Sequence, residues 1–153
     1  MNKLEYIPGD LVKIEYGEAT GKIGFVTNTF LRRKGCYSLV VFIGKEFQGS
    51  SKDDWIQTYN DEVSPIPLTT EILEKNGWNK EEKDGSVFSL SEAFMGGDED
   101  DEDNYTCFQL YYQNKKDGWV IDMRGEPLKF GIHHIHELQN LFFGLGLSHE
   151  MEV

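Results

Sequence analysis

Ile132 to Gly146 reads IHHIHELQNLFFGLG, and it is the only long segment of the chain whose apolar residues recur at helical spacing. At about 100° per residue, five of its apolar side chains share an arc of about 120°, the width of a stripe that faces a core. They are Ile135, Leu138, Leu141, Phe142 and Leu145. A helix with such a stripe has to lie on an apolar surface. The sequence therefore predicts a helix over 132–146 that covers the aromatic-rich strands before it.

Residues 67–153 are predicted to form a small two-layer α+β unit that ends with this helix. Thr69 or Thr70 supplies a hydroxyl cap for a short helix, and Gly77 follows the end of that helix. Three β-rich runs come next, near 86–90, 105–112 and 118–123, and the last two are joined by a hairpin turn. The predicted order is α-β-β-β-α, with the strands in one antiparallel sheet.

Residues 1–66 are predicted to form a separate, mainly β unit. Five short β-favouring runs lie between Leu11 and Ile66, and glycine-rich or polar turns separate them. Strands this short are best protected by closure of the sheet into a small barrel, which removes exposed edges. Pro65 and Pro67 cannot donate to a sheet ladder, so the first unit ends here. The overall prediction is a mainly β or α+β protein of two units.

The opening GDLVKIEYGEATGKIGFV, residues 9–26, resembles the start of an SH3-like barrel of the KOW kind. In that family a strand, a glycine turn and a glycine-bearing second strand recur. The resemblance implies a five-stranded barrel over about 60 residues, and it implies contact with RNA or protein. Barrels of this shape have many functions, so the fold alone does not choose between them.

Two further segments resemble small uncharacterised proteins of phages and prophages in gut Bacteroidales. PIPLT at 65–69, followed by Glu71, Leu73 and Gly77, matches their "PIPLT-x-E-x-L-x-x-x-G" pattern. HELQNLFF at 136–143 is similar to their terminal "H-x-LQNLYF" helix. Those proteins typically end the helix with "ALTG", whereas this chain has GLGL at 144–147. The resemblance implies a phage-type accessory protein and brings no activity with it.

The charge of the chain is uneven, with a formal net charge of −12. Residues 1–66 carry 8 Lys and Arg against 9 Asp and Glu, a net of −1, whereas residues 67–153 carry 7 against 18, a net of −11. Because nucleic acids attract positive charge, the second half is predicted not to bind them. No run of residues is apolar enough to span a membrane or to form a signal peptide, so we expect a cytoplasmic protein without membrane contact.

The cysteines predict neither a disulfide framework nor a metal site. Cys36 and Cys107 lie inside predicted strands and lack CxxC spacing. We expect two buried, reduced thiols.

One basic cluster stands out in the first half, at Arg32, Arg33 and Lys34. These side chains are candidates for contact with phosphate, which requires positive charge. The alternative is a solvated hairpin tip, because short basic turns often have no ligand.

Six consecutive acidic residues, Asp98, Glu99, Asp100, Asp101, Glu102 and Asp103, follow two glycines. Their mutual repulsion favours a solvated loop. Contact with a protein partner through a basic groove is a second interpretation, and a weak cation site is a third. A calcium loop is excluded because its sixth and twelfth positions would be Asp103 and Gln109, where glycine and glutamate are needed.

The histidines near the C-terminal helix suggest a metal site, but their spacing argues against one. His133, His134 and His136 contain no i, i+4 pair of the HExxH kind. We expect His133 and Glu137 to form an exposed i, i+4 pair, His134 to pack at the end of the sheet, and His136 to bond to the backbone.

No phosphate loop, GxSxG motif or nucleophile paired with a base is visible in the sequence. The sequence therefore predicts a non-enzymatic protein without cofactor or metal, acting through contacts with an unknown protein partner. The alternative is a nucleic-acid-binding module that uses the basic cluster of the first unit.

Overall fold

The computed structural model of the protein describes residues 5–93, 105–123 and 125–153. It is mostly β, with two antiparallel sheets and few helices, which confirms the predicted mainly β or α+β class. The chain divides into two compact units, Met1–Ile66 and Pro67–Val153. Of the helices in these ranges, none has the length and apolar character needed to cross a bilayer.

The first unit is a five-stranded antiparallel sheet with the strand order β4-β3-β2-β1-β5. Its strands are β1 Leu11–Ile14, β2 Ile23–Arg33, β3 Cys36–Phe42, β4 Trp55–Tyr59 and β5 Val63–Pro65. A single 3-10 turn at Lys52–Asp54 precedes β4. The last strand returns to pair with the first, with Ile14 opposite Val63. Closure of this sheet into an SH3-like barrel stays a prediction.

The core of the first unit lies on one side of this sheet. It is built from Tyr6, Val12, Ile14, Ala19, Val26, Leu39, Val41 and Val63. Strand β2 contributes Val26 to this core. Beyond Val26, a bulge before Asn28 shifts the register of β2 against β3. A bulge adds one residue and so exchanges the two faces of a strand beyond it. Residues of β2 after Asn28 therefore alternate in the opposite phase.

The second unit is a five-stranded antiparallel meander with the order β10-β9-β8-β7-β6. Its elements are α1 Thr70–Lys75, β6 Asn79–Lys80, β7 Val87–Ala93, β8 Tyr105–Asn114, β9 Gly118–Met123, β10 Glu126–Ile132 and α2 Ile135–Gly144. The sequence predicted three strands for this unit, whereas its sheet has five. The prediction missed β6, which has only two residues, and β10, whose Pro127 and Gly131 are typical of turns.

The C-terminal helix packs its apolar side against the aromatic residues of this unit, as predicted. The ring of Phe142 lies 5.1 Å from that of Phe108 on β8 and 6.1 Å from that of Trp78, between ring centroids. Ile135 and Leu138 are completely buried. Helix α2 therefore forms part of the hydrophobic core of the second unit.

The predicted bounds of this helix, 132–146, were wrong at both ends, since α2 spans Ile135–Gly144. Ile132 is the last residue of β10 and lies opposite Trp119. His134 is extended, at φ −130° and ψ 156°, and forms an isolated bridge with Pro67. Ile132 and His134 remain extended because their backbones pair with Trp119 and Pro67. The helix therefore begins only at Ile135.

Candidate nucleic-acid interface

The side of the first sheet opposite its core carries an ordered set of aromatic and polar side chains. Strand β4 shows the alternation that defines this side: Trp55, Gln57 and Tyr59 are exposed, whereas Thr58 is buried and Ile56 half-buried. We call this side the outer face. Its residues are Phe25, Asn28, Phe30 and Arg33 from β2, Cys36, Ser38, Val40 and Phe42 from β3, and Trp55, Gln57 and Tyr59 from β4.

Three rows cross the outer face, because residues directly opposite one another on antiparallel strands point to the same side. Phe25, Phe42 and Trp55 form the first row, Asn28, Val40 and Gln57 the second, and Phe30, Ser38 and Tyr59 the third. The outer face therefore has aromatic rings at both ends and two carboxamides between them.

The first row is a packed aromatic cluster. Phe47, from the segment between β3 and β4, stacks on Phe42 with 4.5 Å between ring centroids, and Trp55 lies 4.8 Å from the same ring. Phe42 is thereby buried, while Phe47 and Trp55 keep exposed fractions of 54% and 37%. Gly44 permits this packing, since a Cβ there would come 2.6 Å from the end of the Phe42 ring.

The third row is more open. Phe30 and Tyr59 stand on either side of Ser38 and have exposed fractions of 50% and 43%, whereas Ser38 is only 1% exposed. Two accessible rings on one side of a sheet, with a small residue between them, provide surfaces on which planar groups can stack.

The middle row is polar on both sides of Val40. The amide nitrogen Nε2 of Gln57 donates a hydrogen bond of 3.5 Å to Oγ of Ser38 in the neighbouring row. Gln57 and Asn28 are both exposed. Their carboxamides lie in the row next to the third row.

The basic cluster that the sequence singled out lies next to the third row. Arg33 is opposite Cys36, which shares a face with Ser38, and Arg32 occupies a second bulge of β2. Lys34 is in the following turn. Both arginines line an open depression of about 540 Å³ together with Cys36, Tyr59, Asp61 and Glu62. The structure thus brings two of the three predicted phosphate-binding residues to Tyr59.

The charge of this region is mixed, because the depression is lined by Arg32 and Arg33 and also by Asp61 and Glu62. The sequences of β2, β3 and β4 contain two arginines and no aspartate or glutamate. Within the described ranges, no salt bridge involves Arg32, Arg33 or Lys34. Of the two nearby acids, Glu62 is engaged in the β4–β5 turn, where it accepts hydrogen bonds from Oγ1 of Thr58 at 2.8 Å and from the main-chain N–H of Tyr59 at 3.1 Å.

Comparison of the chain with protein-family models, curated proteins and solved structures gives no match. The chemistry of the outer face is therefore the basis for its interpretation.

The histidines of the second unit are arranged as a helix start. The carboxylate of Glu137 accepts hydrogen bonds from the main-chain N–H groups of His133 at 2.7 Å and His134 at 3.0 Å. The predicted i, i+4 contact of His133 and Glu137 is therefore made through the backbone of His133, which is not helical. Among the residues described, no group of three or more His, Cys, Asp or Glu is placed to hold a metal ion.

The remaining predictions concern the acidic run and the two cysteines. Asp98, Glu99, Asp100, Asp101, Glu102 and Asp103 lie outside the described residues. Cys36 is half-buried and Cys107 is exposed, so the expectation of two buried thiols was wrong for Cys107. Both thiols are free.

Phe30, Gln57 and Tyr59 were missed as site residues. The alternation of Trp55, Gln57 and Tyr59 along β4 was the available signal, because it puts two aromatic residues and a carboxamide on one side of a strand. The position of Phe30 had no such signal, since it depends on the bulge after Val26.

Proposed function

We propose that the protein is a non-enzymatic binding protein whose first unit binds single-stranded nucleic acid on the outer face. The observation that carries the proposal is the exposure of Phe30 and Tyr59 on one side of the sheet, next to Arg32 and Arg33. No catalytic step is part of it.

The exposed aromatic residues are the reason for proposing a single strand as the ligand. A base has two flat faces, which are covered by its neighbours in a duplex and become available when a strand is unpaired. Stacking on an aromatic side chain contributes about 1–3 kcal/mol per base. Tyr59 and Trp55 are four residues apart on β4, about 13 Å at roughly 3.3 Å per residue. This spacing leaves room for stacking at both ends of the outer face.

In this proposal the basic residues contact the phosphates of the strand, and their small number limits the electrostatic contribution to binding. With at most three cations, Arg32, Arg33 and Lys34, the logarithm of the binding constant should fall against the logarithm of salt concentration with a slope of about −2. The net charge of −1 over residues 1–66 adds no long-range attraction. We therefore expect binding in which stacking contributes more than charge.

Fluorescence anisotropy with the full chain and labelled ten-nucleotide DNA and RNA strands tests the proposal. We expect Phe30→Ala and Tyr59→Ala each to weaken binding by about 5- to 150-fold, the equivalent of one stacked base. Tyr16→Ala is the matched control, because Tyr16 is an even more exposed aromatic residue, at 71%, beyond the end of β1. It should bind as the parent does.

The double variant Arg32→Ala, Arg33→Ala tests the electrostatic part separately. It should reduce the salt slope to below about 1 while the effect of Tyr59→Ala persists. Equal affinity of the parent for a duplex and a single strand would contradict the proposal. Parent-like binding by both aromatic variants would also contradict it.

A protein partner for the second unit is the second candidate function. The observation in its favour is the net charge of −11 over residues 67–153, which suits a basic surface. Here we propose a phage-type accessory protein that acts in the cytoplasm through protein contacts, with Asp98 to Asp103 as part of the contact. Salt-sensitive capture of one basic host protein, lost when these six acids are replaced by amides, is the expected result. Capture that survives the replacement would exclude the acidic run.

A further inference from the structure

Asn76 and Gly77 form the only Asn-Gly pair of the sequence, and they follow directly on the last residue of α1. Asparagine before glycine is the pair most prone to deamidation, because glycine has no Cβ to hinder attack by its main-chain nitrogen. That nitrogen bonds to Cγ of the asparagine, and the Cγ–Nδ2 bond breaks to release ammonia, which carries the proton of the glycine N–H. Water then opens the succinimide to an aspartate or an isoaspartate. Water is the only reagent, so the freedom of the two reacting groups sets the rate.

The side chain of Asn76 is held at both of its polar atoms. Nδ2 donates to the carbonyl oxygens of Ile72 and Glu152, both at 2.8 Å, and Oδ1 accepts from the main-chain N–H of Glu152, also at 2.8 Å. Both N–H groups of the carboxamide are therefore used. The attacking nitrogen is held as well, since the N–H of Gly77 donates to the carbonyl oxygen of Glu74 at 3.2 Å. Ring closure requires these bonds to open.

The contacts with Glu152 come from residues 148–153, which we call the tail. The carboxamide of Asn76 bonds both the N–H and the C=O of Glu152, so it pairs with the main chain of the tail. Lys75 provides a second anchor, because its Nζ donates to the carbonyl oxygen of Val153 at 2.6 Å and lies 3.8 Å from the carboxylate of Glu152. The position of the tail and the position of the Asn76 amide are therefore coupled.

Deamidation would remove half of this pairing. A carboxylate at position 76 has no N–H, so it cannot donate to the carbonyl oxygens of Ile72 and Glu152. Acceptors that face one another without a proton destabilise the contact. An isoaspartate would also add one carbon to the main chain at the end of α1. Either product would weaken the docking of the tail.

We propose that Asn76 is a deamidation site controlled by the tail. While the tail is docked, the amide is held and persists. When the tail is released, the nitrogen of Gly77 reaches Cγ of Asn76, ammonia leaves, and the original contacts cannot form again. The change is irreversible, so the protein keeps a covalent record of tail release.

The rate of deamidation at neutral pH, followed by peptide mapping with mass spectrometry, tests the proposal. The full chain is compared with a variant that ends at Leu147 and so lacks the tail. We expect position 76 to convert about 5- to 100-fold faster in the shortened variant, because two hydrogen bonds of the Asn76 carboxamide are lost. Equal rates would overturn control by the tail.

Two substitutions at one position isolate the main-chain pairing. Glu152→Pro removes the N–H that Oδ1 of Asn76 accepts, and it should accelerate deamidation by about 2- to 10-fold. Glu152→Ala keeps that N–H and loses only an exposed ion pair with Lys75, so it should react as the parent does. Equal acceleration in both variants would overturn the role of the pairing.

Asp117 and Gly118, at the β8–β9 turn, report on unfolding of the whole unit. Aspartate before glycine isomerises through the same succinimide, with water leaving in place of ammonia. Its rate, seen as a shift in peptide retention, should be unchanged by removal of the tail. Equal acceleration at this site and at position 76 would indicate general unfolding and would overturn the proposal.

Asn76→Asp tests whether release is permanent, because it creates the product of deamidation directly. Carboxypeptidase should shorten its tail about 2- to 10-fold faster than that of the parent, since the donor to Glu152 is lost. Asn79→Asp is the matched control, with the same change of charge at an exposed asparagine nearby. It should be digested as the parent is, and parent-like digestion of Asn76→Asp would overturn permanent release.

Discussion

The main-chain N–H of His133 donates a hydrogen bond of 2.7 Å to the carboxylate of Glu137, four residues along the chain. The N–H of His134 donates to the same oxygen at 3.0 Å. One side chain therefore satisfies two backbone donors where β10 ends and α2 begins. These donors would otherwise lack a partner within the helix.

Replacement of Glu137 should destabilise the second unit. Glu137→Ala removes both hydrogen bonds, and we expect the free energy of unfolding to fall by about 1–2 kcal/mol, as for other helix caps. Glu137→Gln keeps an acceptor oxygen and should cost less. Urea unfolding followed by circular dichroism provides the measurement. Glu150→Ala, at an exposed carboxylate, is the control, and a cost equal to that of Glu137→Ala would contradict the capping role.

The stability of this unit should also decrease in acid. Partial burial raises the pKa of Glu137, but the hydrogen bonds from His133 and His134 and the nearby imidazoles of His134 and His136 lower it more, so the pKa lies below its ordinary value of 4.5. A lowered pKa means that the folded state favours the carboxylate. Its contribution is complete above pH 4.5 and is lost as the pH falls through the lower, folded-state pKa.

The measurement is urea unfolding of the parent and of Glu137→Gln between pH 7 and pH 3. The difference in stability between the two proteins should shrink towards the acid end of this range. A constant difference would contradict the role of the charge.

Two adjacent phenylalanines of α2 should differ sharply in their contribution to stability. Phe142 is buried against Phe108 and Trp78, so Phe142→Ala should cost about 3–5 kcal/mol. Phe143 is 57% exposed, and its ring meets only that of His149 among the described aromatic contacts. Phe143→Ala should cost less than about 1 kcal/mol. Thermal unfolding of both variants would show the contrast, and equal costs would refute the assignment of the core face.

Two glycines offer a similar contrast in the backbone. A Cβ on Gly131 would lie 1.8 Å from the carbonyl oxygen of Asp117, so Gly131→Ala requires the β8–β9 turn to move away from β10. We expect a loss of about 1–3 kcal/mol or more. A Cβ on Gly144 would meet nothing within 4 Å. Gly144→Ala should be neutral or stabilise the protein by up to about 1 kcal/mol. Chemical denaturation of both variants at one pH would decide the matter.

Local chemistry was enough to predict several elements. One of the five β-favouring runs between Leu11 and Ile66 is the strand Trp55–Tyr59, whose exposed and covered residues alternate without interruption. Thr69 is the residue that caps the first helix, where it accepts a hydrogen bond from the main-chain N–H of Ile72 at 3.4 Å. In each case the deciding interaction lies within a few residues of sequence.

Long-range pairing explains what the sequence could not predict. Regular alternation from Val26 would put Phe30 in the core, and only the bulge before Asn28 turns it to the outer face. The start of α2 was likewise set by the pairing of Ile132 with Trp119, which kept an otherwise helical pattern extended. Register between distant strands decides both positions.

Because β1 pairs with β5, the first sheet can be completed only after its last strand has been synthesised. Ile14 meets Val63, so the first sheet has to close a loop of nearly fifty residues before its last ladder forms. During translation, β1 therefore keeps an unpaired edge until Pro65 has left the ribosome. The second sheet, a meander, adds each strand to the one made just before it. Its pairing is local and should be the faster of the two to form.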